Sequence, residues 1–257
     1  MSTQQPIIYK TPDEITLNGI LESNNSDTCV IICHGIRSDK NEHDNFVQLS
    51  DALSQNGIDS FRFDFRGHGD NPSAFATVTI SGEIIDLETT LDYIQDNFHY
   101  KNIILLGASF GAGIVSLINY KKYQHMIKGL ILWYPAIIYK NTNIFTDANV
   151  NLAIQQGYIE TTSIRTGKVF RFSKELMLES QKYKPFDALI DNKLPKLFIH
   201  GDKDIDVDST STVECSKLSP NSELIIYHNG THGFFTEPQI FTQVLKDTVD
   251  FIVKTVK

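Results

Sequence analysis

The apolar stretch from residue 103 to 118 constrains the fold of this chain more than any other segment. It is shorter than the about 20 apolar residues that a membrane-spanning helix needs, and glycine and serine interrupt it. Residues 103–106 predict a buried strand, and residues 112–123 predict a helix. The Gly-x-Ser-x-Gly segment 107–111 between them fits either a flexible turn or a tight strand-to-helix bend that presents Ser109.

Short apolar runs alternate with amphipathic segments along most of the chain, which is typical of a mostly parallel sheet with helices on both faces. The alternating apolar pattern of residues 14–23 predicts an antiparallel strand at the edge of that sheet. Further strands are predicted at 28–33, 58–65, 103–106, 129–134, 196–200 and 223–228. Helical spacing predicts helices at 46–53, 81–98, 112–123 and 239–256. The predicted fold class is therefore α/β.

Residues 136–186 break this alternation, and we expect them to form a small lid or cap insertion over one end of the sheet. Within the segment, a β-hairpin is predicted with its turn at Thr166 and Gly167. Residues 1–135 and 187–257 are then expected to build one core together.

Composition excludes several classes of protein. The chain has 257 residues, of which 41% are hydrophobic, and this suits one large globular domain. The formal net charge is −8 and the sequence pI is about 5.4, which argues against nucleic-acid binding because a phosphate backbone attracts basic surfaces. The N-terminal segment has no basic region followed by an apolar one, so we expect no secretion signal and a cytoplasmic location. The three cysteines are predicted to be buried and reduced.

Two later loops carry the partners that a nucleophilic serine requires. A serine hydroxyl needs a base to remove its proton and a third group to orient that base. The acidic segment GDKDIDV, residues 201–207, follows one predicted strand, and NGTHGFF, residues 229–235, follows the next. The order Ser109, aspartate, His232 predicts a catalytic triad at the carboxyl edge of the sheet. Four aspartates are close enough to be the acid: Asp202, Asp204, Asp206 and Asp208.

Residues from about 14 to 256 resemble the α/β-hydrolase fold proteins, and among these the bacterial feruloyl and cinnamoyl esterases and the monoacylglycerol-lipase-like enzymes. Five segments carry the resemblance: HGI (34–36), DFRGHGD (64–70), GASFG (107–111), GDKD (201–204) and THGF (231–234).

The resemblance implies that the acid is the residue three positions after Gly201, which is Asp204. It also implies that the backbone N–H groups of Ile36 and Phe110 form the oxyanion hole. Ile36 replaces the aromatic residue often found there in feruloyl esterases, which changes one wall of the acyl site but leaves the backbone donor in place.

Several side chains are candidates for substrate contacts. Arg37 and Lys40 follow the predicted oxyanion loop and could reach an anionic group, although solvated loop residues would look the same. Aromatic residues of the insertion could line a substrate pocket or form the core of the lid itself. The predicted substrate-binding residues are Arg37, Tyr158, Phe170 and Phe172, with Phe145 a further aromatic candidate.

The other histidines are expected to have supporting roles. His34 and His68 are predicted to stabilise backbone in the glycine-rich loops, and His200 and His228 to be structural. The three remaining ones, His43, His99 and His125, are predicted to be surface residues. The sequence has no HExxH motif, no CxxC pair and no carboxylate cluster, so we predict neither a metal nor any other cofactor.

The sequence thus predicts a serine hydrolase that cleaves carboxylic esters, with short or medium acyl chains or hydroxycinnamoyl groups, through an acyl-enzyme on Ser109. Two alternatives stay open: an acyl thioesterase or acyltransferase with the same triad, and a non-catalytic protein of this fold that binds a ligand. The expected partner is a small-molecule ester, with no nucleic acid and no membrane span. The sequence does not indicate an oligomeric state.

Overall fold

The computed structural model describes residues 2–163 and 166–257, and an eight-stranded sheet forms its centre. The strands of this sheet are β1 (Thr3–Lys10), β2 (Thr16–Ser23), β3 (Thr28–Cys33), β4 (Asp59–Asp64), β5 (Asn102–Ala108), β6 (Ile127–Trp133), β9 (Lys196–Gly201) and β10 (Ser222–Tyr227). Their order is β1-β2-β4-β3-β5-β6-β9-β10. The last six strands in this order pair in parallel, whereas β1 and β2 are antiparallel additions at one side.

Helices cover both faces of the sheet, as the α/β prediction requires. They are α1 (Asn45–Gln55), α2 (Ile80–Asn97), α3 (Phe110–Leu117), α4 (Tyr120–Tyr123), α5 (Asp147–Gln156), α6 (Lys174–Lys182), α7 (Pro185–Asp191), α8 (Ser209–Leu218) and α9 (Pro238–Val256). Within the described ranges, no helix has both the length and the apolar character needed to cross a membrane.

The central strands are apolar throughout because both of their faces are covered. In β3 every residue is buried, and successive side chains point to opposite faces of the sheet. Cys29 and Ile31 pack in the apolar cluster that includes residues of α2 and α3, whereas Val30 and Ile32 pack in the cluster that includes residues of α1 and α9. The sheet therefore has a separate hydrophobic core on each face.

Strand β2 is antiparallel as predicted, but the prediction that it forms the sheet edge is wrong. Strand β1 pairs with it over eight positions, from Thr3↔Ser23 to Lys10↔Thr16, and takes the edge instead. The burial of β1 is low: among its eight residues only Ile7 and Tyr9 are buried. A strand that exposes most of its side chains and contains Pro6 lacks the apolar pattern from which strands are predicted.

The helix predicted at residues 112–123 is divided in the structure. Helix α3 already begins at Phe110 and ends at Leu117, and the separate turn α4 follows. Ile118 between them is extended, with φ −67° and ψ 164°, and the backbone N–H of Asn119 donates to the Glu88 carboxylate at 2.8 Å. This contact from helix α2 offers the chain an alternative to continuing the helix.

The predicted hairpin forms within residues 136–186, as strands β7 (Tyr158–Thr162) and β8 (Val169–Ser173), which pair with each other in an antiparallel sheet of two strands. Gly167 has φ +67°, a left-handed conformation that glycine adopts readily, and its N–H donates to the Ser163 carbonyl at 2.8 Å. The hairpin packs on the 3₁₀ turn Phe75–Thr77 through Phe170 and Phe172. The predicted turn residues Thr166 and Gly167 lie within the described part of the chain, whereas residues 164 and 165 lie outside it.

Candidate active site

Ser109 lies at the sharp bend between β5 and α3, with φ 52° and ψ −117°. A Cβ on Gly107 would approach the Cα of Ala112 to 2.6 Å, and one on Gly111 would approach the His34 carbonyl oxygen to 2.5 Å. Since these neighbours are backbone atoms, only glycine fits at either position. The sequence motif therefore reflects a bend in which strand, helix and the loop after β3 are in close contact.

Two backbone N–H groups border the same cavity as Ser109. Phe110 is the first residue of α3, and the N–H groups of a first helical turn have no partner within the helix. Ile36 lies in the loop that follows β3, and both residues line the cavity with Ser109. Within residues 2–163 and 166–257, neither N–H group donates a hydrogen bond. Two unpaired N–H groups therefore belong to residues that line the cavity together with Ser109.

His34 holds the loop that carries Ile36. A backbone N–H of Phe65 donates to its Nε2 at 3.1 Å, so the ring proton is on Nδ1, which lies 2.8 Å from the Gly35 carbonyl oxygen. Burial lowers the pKa of His34 to about 4. The ring is neutral at pH 7 and fixes this loop by hydrogen bonds, as predicted.

His68 supports the same loop from the other side. Its Nε2 lies 2.7 Å from the Ile36 carbonyl oxygen, and its Nδ1 lies 2.9 Å from the Arg66 carbonyl oxygen. Burial, with a smaller effect of the neighbouring His34, lowers the pKa of His68 to about 3. The neutral ring has one N–H and can donate to only one of these two carbonyl oxygens, so the glycine-rich segment after β4 contributes a histidine that packs beside the backbone of Ile36.

His232 and Asp204 form a hydrogen-bonded pair at the ends of β10 and β9. Nδ1 of His232 lies 2.7 Å from Oδ2 of Asp204, and since a carboxylate can only accept, the proton of the neutral ring is on Nδ1. Nε2 is then left as a base. Burial acts to lower the pKa of His232, but the hydrogen bond and negative charge of Asp204 outweigh it, and the pKa is raised.

The Asp204 carboxylate is held by four donors. Its Oδ1 accepts from the backbone N–H groups of Asp206 and Val207, both at 2.9 Å. Its Oδ2 accepts from His232 and also from Nε2 of His200, at 3.0 Å. Burial would raise the pKa of Asp204, but the hydrogen bonds from the two histidines outweigh it and hold the pKa well below its usual value.

The other three aspartates of this region have different partners. Asp202 bonds His228 at 2.6 Å, and Asp206 bonds the Asn143 side chain. Asp208 caps helix α8 by accepting from the Thr210 N–H at 2.9 Å. Asp204 is thus the aspartate that the structure places against His232.

Ser109 and His232 face the same cavity, and the ring of Tyr134 packs against His232. The two ring centroids are 4.7 Å apart with an angle of 66° between the planes. Among the described residues, no hydrogen bond is recorded between the Ser109 hydroxyl and the His232 ring. Such bonds are often long in ligand-free sites and tighten when substrate binds.

The cavity has a volume of about 820 Å³ and combines apolar and polar walls. Beside Ser109, the walls include Ile36, Phe110, Ile144, Phe145 and Val207. A smaller cavity of about 300 Å³ adjoins it and shares Arg37, Ser38 and His43 with it. Together the two cavities have room for a small molecule that contacts Ser109 in the larger one and extends past Arg37 into the smaller one.

The predicted substrate contacts are divided by the structure. Arg37 borders both cavities, and Phe170 borders the smaller one. Phe172 is fully buried between Phe75 and Phe145, and Tyr158 lies under the guanidinium group of Arg171, at 4.3 Å. Neither of these two residues lines the two cavities described above.

The charged residues of the loops are mostly used in ion pairs. Lys40, a second candidate for an anionic substrate group, is buried and pairs with Asp64 at 2.7 Å and with Asp70 at 2.5 Å.

His43, predicted to be a surface residue, is exposed but also lines both cavities, and its ring contacts Phe235 edge-on.

One group of side chains has the spacing of metal ligands. Asp204, Asp206 and His232 each offer a ligand atom, and these atoms lie within 4.8 Å of one another. The carboxylate of Asp204 already accepts from His232, and Asp206 bonds Asn143. These hydrogen bonds account for the group without an ion, so its donor set does not point to a metal centre.

Two residues of the site were not identified from the sequence. Glu42 is 4% exposed, lines the cavity and accepts from the Gly35 N–H at 3.1 Å. Tyr134 follows directly after β6, at the carboxyl edge of the sheet where such sites form, and this position could have identified it from the sequence. Glu42 had no such signal, because it follows no strand.

Comparison with known proteins gives one family match and several relatives. The profile of the family Hydrolase_4, described as serine aminopeptidase, S33, matches residues 24–161, which is more than half of the chain. A Mycoplasma pneumoniae protein assigned provisionally as esterase/lipase 1 is 25% identical over 231 residues, 76% of this chain and 82% of that protein. The uncharacterized protein R595 of Acanthamoeba polyphaga mimivirus is 31% identical over 111 residues, which cover 42% of this chain and only 36% of the viral protein.

A solved structure supports the fold over nearly the whole chain. Est1E from Butyrivibrio proteoclasticus, with ferulic acid bound, superposes with a TM-score of 0.83 at 21% identity, covering 97% of this chain and 99% of that one. The parallel sheet, the bend at Ser109 and this likeness identify the α/β-hydrolase fold, as predicted. With the profile matching more than half of its residues, the chain belongs to the Hydrolase_4 family of hydrolases, the serine aminopeptidase S33 family.

Proposed function

We propose that this hydrolase cleaves carboxylic esters through an acyl-enzyme formed on Ser109. The observation that carries the proposal is that His232, hydrogen-bonded to Asp204, lines the same cavity as the strained Ser109. A serine at such a bend, a histidine with a free Nε2 and an orienting carboxylate are the three parts of a nucleophilic triad. The esterase/lipase assignment of the Mycoplasma relative supports ester substrates.

The proposed reaction begins at Ser109. The Ser109 oxygen attacks the ester carbonyl carbon while Nε2 of His232 takes the hydroxyl proton. The carbonyl oxygen becomes an oxyanion, which accepts from the N–H groups of Ile36 and Phe110. One such donor stabilises a transition state by about 3–4 kcal/mol in enzymes where it has been removed. The C–O bond then breaks, and His232 returns the proton to the leaving alcohol.

Water completes the cycle. His232 removes a proton from a water molecule, which attacks the acyl carbon, and the same two N–H groups receive the second oxyanion. Collapse of this intermediate breaks the bond to Ser109, returns the proton to its oxygen and releases the carboxylic acid. Asp204 stays ionised throughout and stabilises the imidazolium that forms twice in the cycle.

The substrates proposed are esters of short or medium acyl chains or of hydroxycinnamic acids. The apolar walls formed by Phe110, Ile144 and Phe145 suit an acyl chain or an aromatic ring. The binding of ferulic acid by Est1E, a protein of the same fold, supports the second class. Arg37 and Phe170 are the proposed contacts for the other end of the substrate.

Labelling with a fluorophosphonate probe tests the nucleophile. The wild-type protein should be labelled, and Ser109→Ala should not, while a substitution of Ser23, which lies on β2 and lines neither cavity, should leave labelling unchanged. If the wild type stays unlabelled under conditions that label a known serine esterase, the catalytic proposal fails and the non-catalytic ligand-binding alternative is favoured.

A substrate panel tests the class of reaction. It contains p-nitrophenyl esters of increasing chain length, methyl ferulate, an acyl-CoA and an aminoacyl p-nitroanilide. The proposal expects the highest kcat/KM among the oxygen esters. A higher value for the acyl-CoA would make the protein a thioesterase, and a higher value for the anilide would make it an aminopeptidase.

A further inference from the structure

The segment of residues 42–45, which we name the Glu42 turn, has an unusual backbone. Glu42, His43 and Asp44 are all in the left-handed region, with φ values of 44°, 52° and 73°. Residues with a Cβ rarely adopt this conformation even singly, because the Cβ crowds the backbone. Three in succession require support from the surrounding structure, and such strain occurs preferentially at functional sites.

The first side chain of the turn contacts the loop of the proposed oxyanion hole. Oε2 of Glu42 accepts from the N–H of Gly35 at 3.1 Å, and the side chain is buried. Gly35 directly precedes Ile36, so this bond fixes the peptide before the proposed donor. A Cβ on Gly35 would lie 3.3 Å from the Cβ of Ser109, which shows how closely the loop approaches the serine.

The last side chain of the turn contacts the loop of the proposed base. Asn45 is 4% exposed, and its Nδ2 donates to the Gly233 carbonyl oxygen at 2.7 Å. Gly233 directly follows His232. His43, which lies between Glu42 and Asn45 in the turn, contacts Phe235 of the loop that carries His232, with ring centroids 5.3 Å apart. One short turn therefore bonds both loops that must meet at the substrate carbonyl.

We propose that the Glu42 turn is a positioning bridge, in which Glu42 sets the direction of the Ile36 N–H and Asn45 sets the position of His232. This inference rests on the proposed esterase function, because it concerns the same site. Neither residue exchanges a proton or an electron pair with the substrate. Their effect is on geometry, and a shift of about 1 Å in a reacting group can lower the rate about 100-fold.

The test compares three variants at saturating and limiting p-nitrophenyl ester. Glu42→Met removes the acceptor at similar volume, and kcat should fall about 10- to 100-fold with little change in KM. Glu42→Gln keeps an acceptor oxygen for the Gly35 N–H and should restore kcat to within about threefold of wild type. Asn45→Ala should lower kcat in the same way as Glu42→Met.

A double variant separates a bridge from two independent contacts. If the turn acts as one unit, Glu42→Met combined with Asn45→Ala should lose less than the product of the two single losses. If the fold-loss of kcat in the double variant equals the product of the two single losses, the two contacts act separately, which would contradict the bridge.

The matched control is Glu22→Met. Glu22 is also 4% exposed, and its carboxylate accepts from Gln4 on the neighbouring strand and from Ser2 just before it, outside both cavities. This variant should lower Tm but leave kcat unchanged. Measuring Tm for every variant identifies those that fail to fold, and Asn45→Ala and Glu42→Gln carry the test if Glu42→Met does not fold.

The outcomes separate this inference from the proposed function. If the wild type hydrolyses no ester, the proposed function itself fails. If the wild type is active and the folded Glu42→Met and Asn45→Ala variants keep its kcat, or change KM alone, the positioning role is overturned. A loss in Glu42→Gln as deep as in Glu42→Met would also contradict it, because the hydrogen bond would then not be what matters.

Discussion

Asp204 accepts from two histidines through one oxygen, and this arrangement distinguishes it from its neighbours. His200, expected from the sequence to be only structural, bonds Asp204 through Nε2, while its Nδ1 lies 2.8 Å from the Thr212 hydroxyl oxygen. The carboxylate is therefore fixed from inside the protein by His200 and presents its charge to His232 from a defined direction. Resemblance identified Asp204 from the sequence by its spacing from Gly201. The hydrogen bond from His200 could be found only in the folded structure.

We expect Asp204→Asn to lower kcat about 10⁴-fold, because an amide can leave His232 in the wrong tautomer. Hydrolysis of a p-nitrophenyl ester measures the effect, and Asp206→Asn is the matched control in the same loop. A variant with Asn at position 204 that kept full activity would move the orienting role to another residue.

The pH dependence of kcat/KM follows from the raised pKa of His232. The base must be neutral to accept the serine proton, so activity is lost as pH falls through the pKa of the folded protein. Because hydrogen bonding and the charge of Asp204 raise this pKa, the midpoint should lie above the ordinary histidine value of 6.5. A kcat/KM profile between pH 5 and 9 checks this, and a midpoint below 6.5 would contradict the assigned pair.

At the scale of elements, strand β8 of the hairpin carries two phenylalanines, Phe170 and Phe172, whose surroundings differ although the sequence gives them the same pattern. Phe170 borders the smaller cavity and packs edge-on against Phe75, with ring centroids 4.9 Å apart. Phe172 is two residues away on the same face of the strand and is fully buried against Phe75 and Phe145, whereas Phe170, in the same apolar cluster, is 6% exposed. Periodicity alone cannot separate a ring that lines a cavity from one that fills the core.

This difference predicts distinct effects for two matched variants. Phe172→Ala should destabilise the protein by about 3–5 kcal/mol, because it leaves a cavity in a packed core. Phe170→Ala should lose less stability and should change the ratio of kcat/KM between large and small esters. Urea unfolding and the ester panel measure the two quantities, and an unchanged ratio in Phe170→Ala would remove this residue from the proposed substrate contacts.

The sequence predicted the elements whose apolar pattern is strong and missed those that tertiary contacts determine. Strands β3 and β5 are buried on both faces and are evident from apolar runs alone. Strand β1 exposes most of its residues, and the break after α3 depends on the contact between Asn119 and Glu88. In the site, Ser109 was predictable because glycine spacing reports the bend, whereas Glu42 acts through contacts with two remote loops.

At the scale of the whole molecule, Arg66 joins three parts of the chain. Its guanidinium group contacts Asp86 on helix α2 at 2.8 Å and Asp13 in the turn between β1 and β2 at 2.9 Å. Burial raises the pKa of Asp86, and the hydrogen bonds and positive charge of Arg66 act against that shift.

We expect Arg66→Met to destabilise the protein by about 3–5 kcal/mol, because it leaves the carboxylate of Asp86 buried without its cation. Replacing both partners, as in Arg66→Met with Asp86→Leu, should recover a large part of the loss. Denaturant unfolding gives both values. Equal stability of the single variant and the wild type would show that the ion pair contributes nothing.

The hairpin forms a two-stranded sheet of its own, separate from the ladder of eight strands. Residues of this hairpin line both cavities, so we expect a lengthened or shortened hairpin loop to reshape the proposed substrate site while the pairing of the eight strands stays intact. Evolution could therefore retune which molecules enter while inheriting the chemistry intact. For protein engineering, this makes the β7–β8 segment the natural place to graft loops from other hydrolases when a new substrate range is wanted.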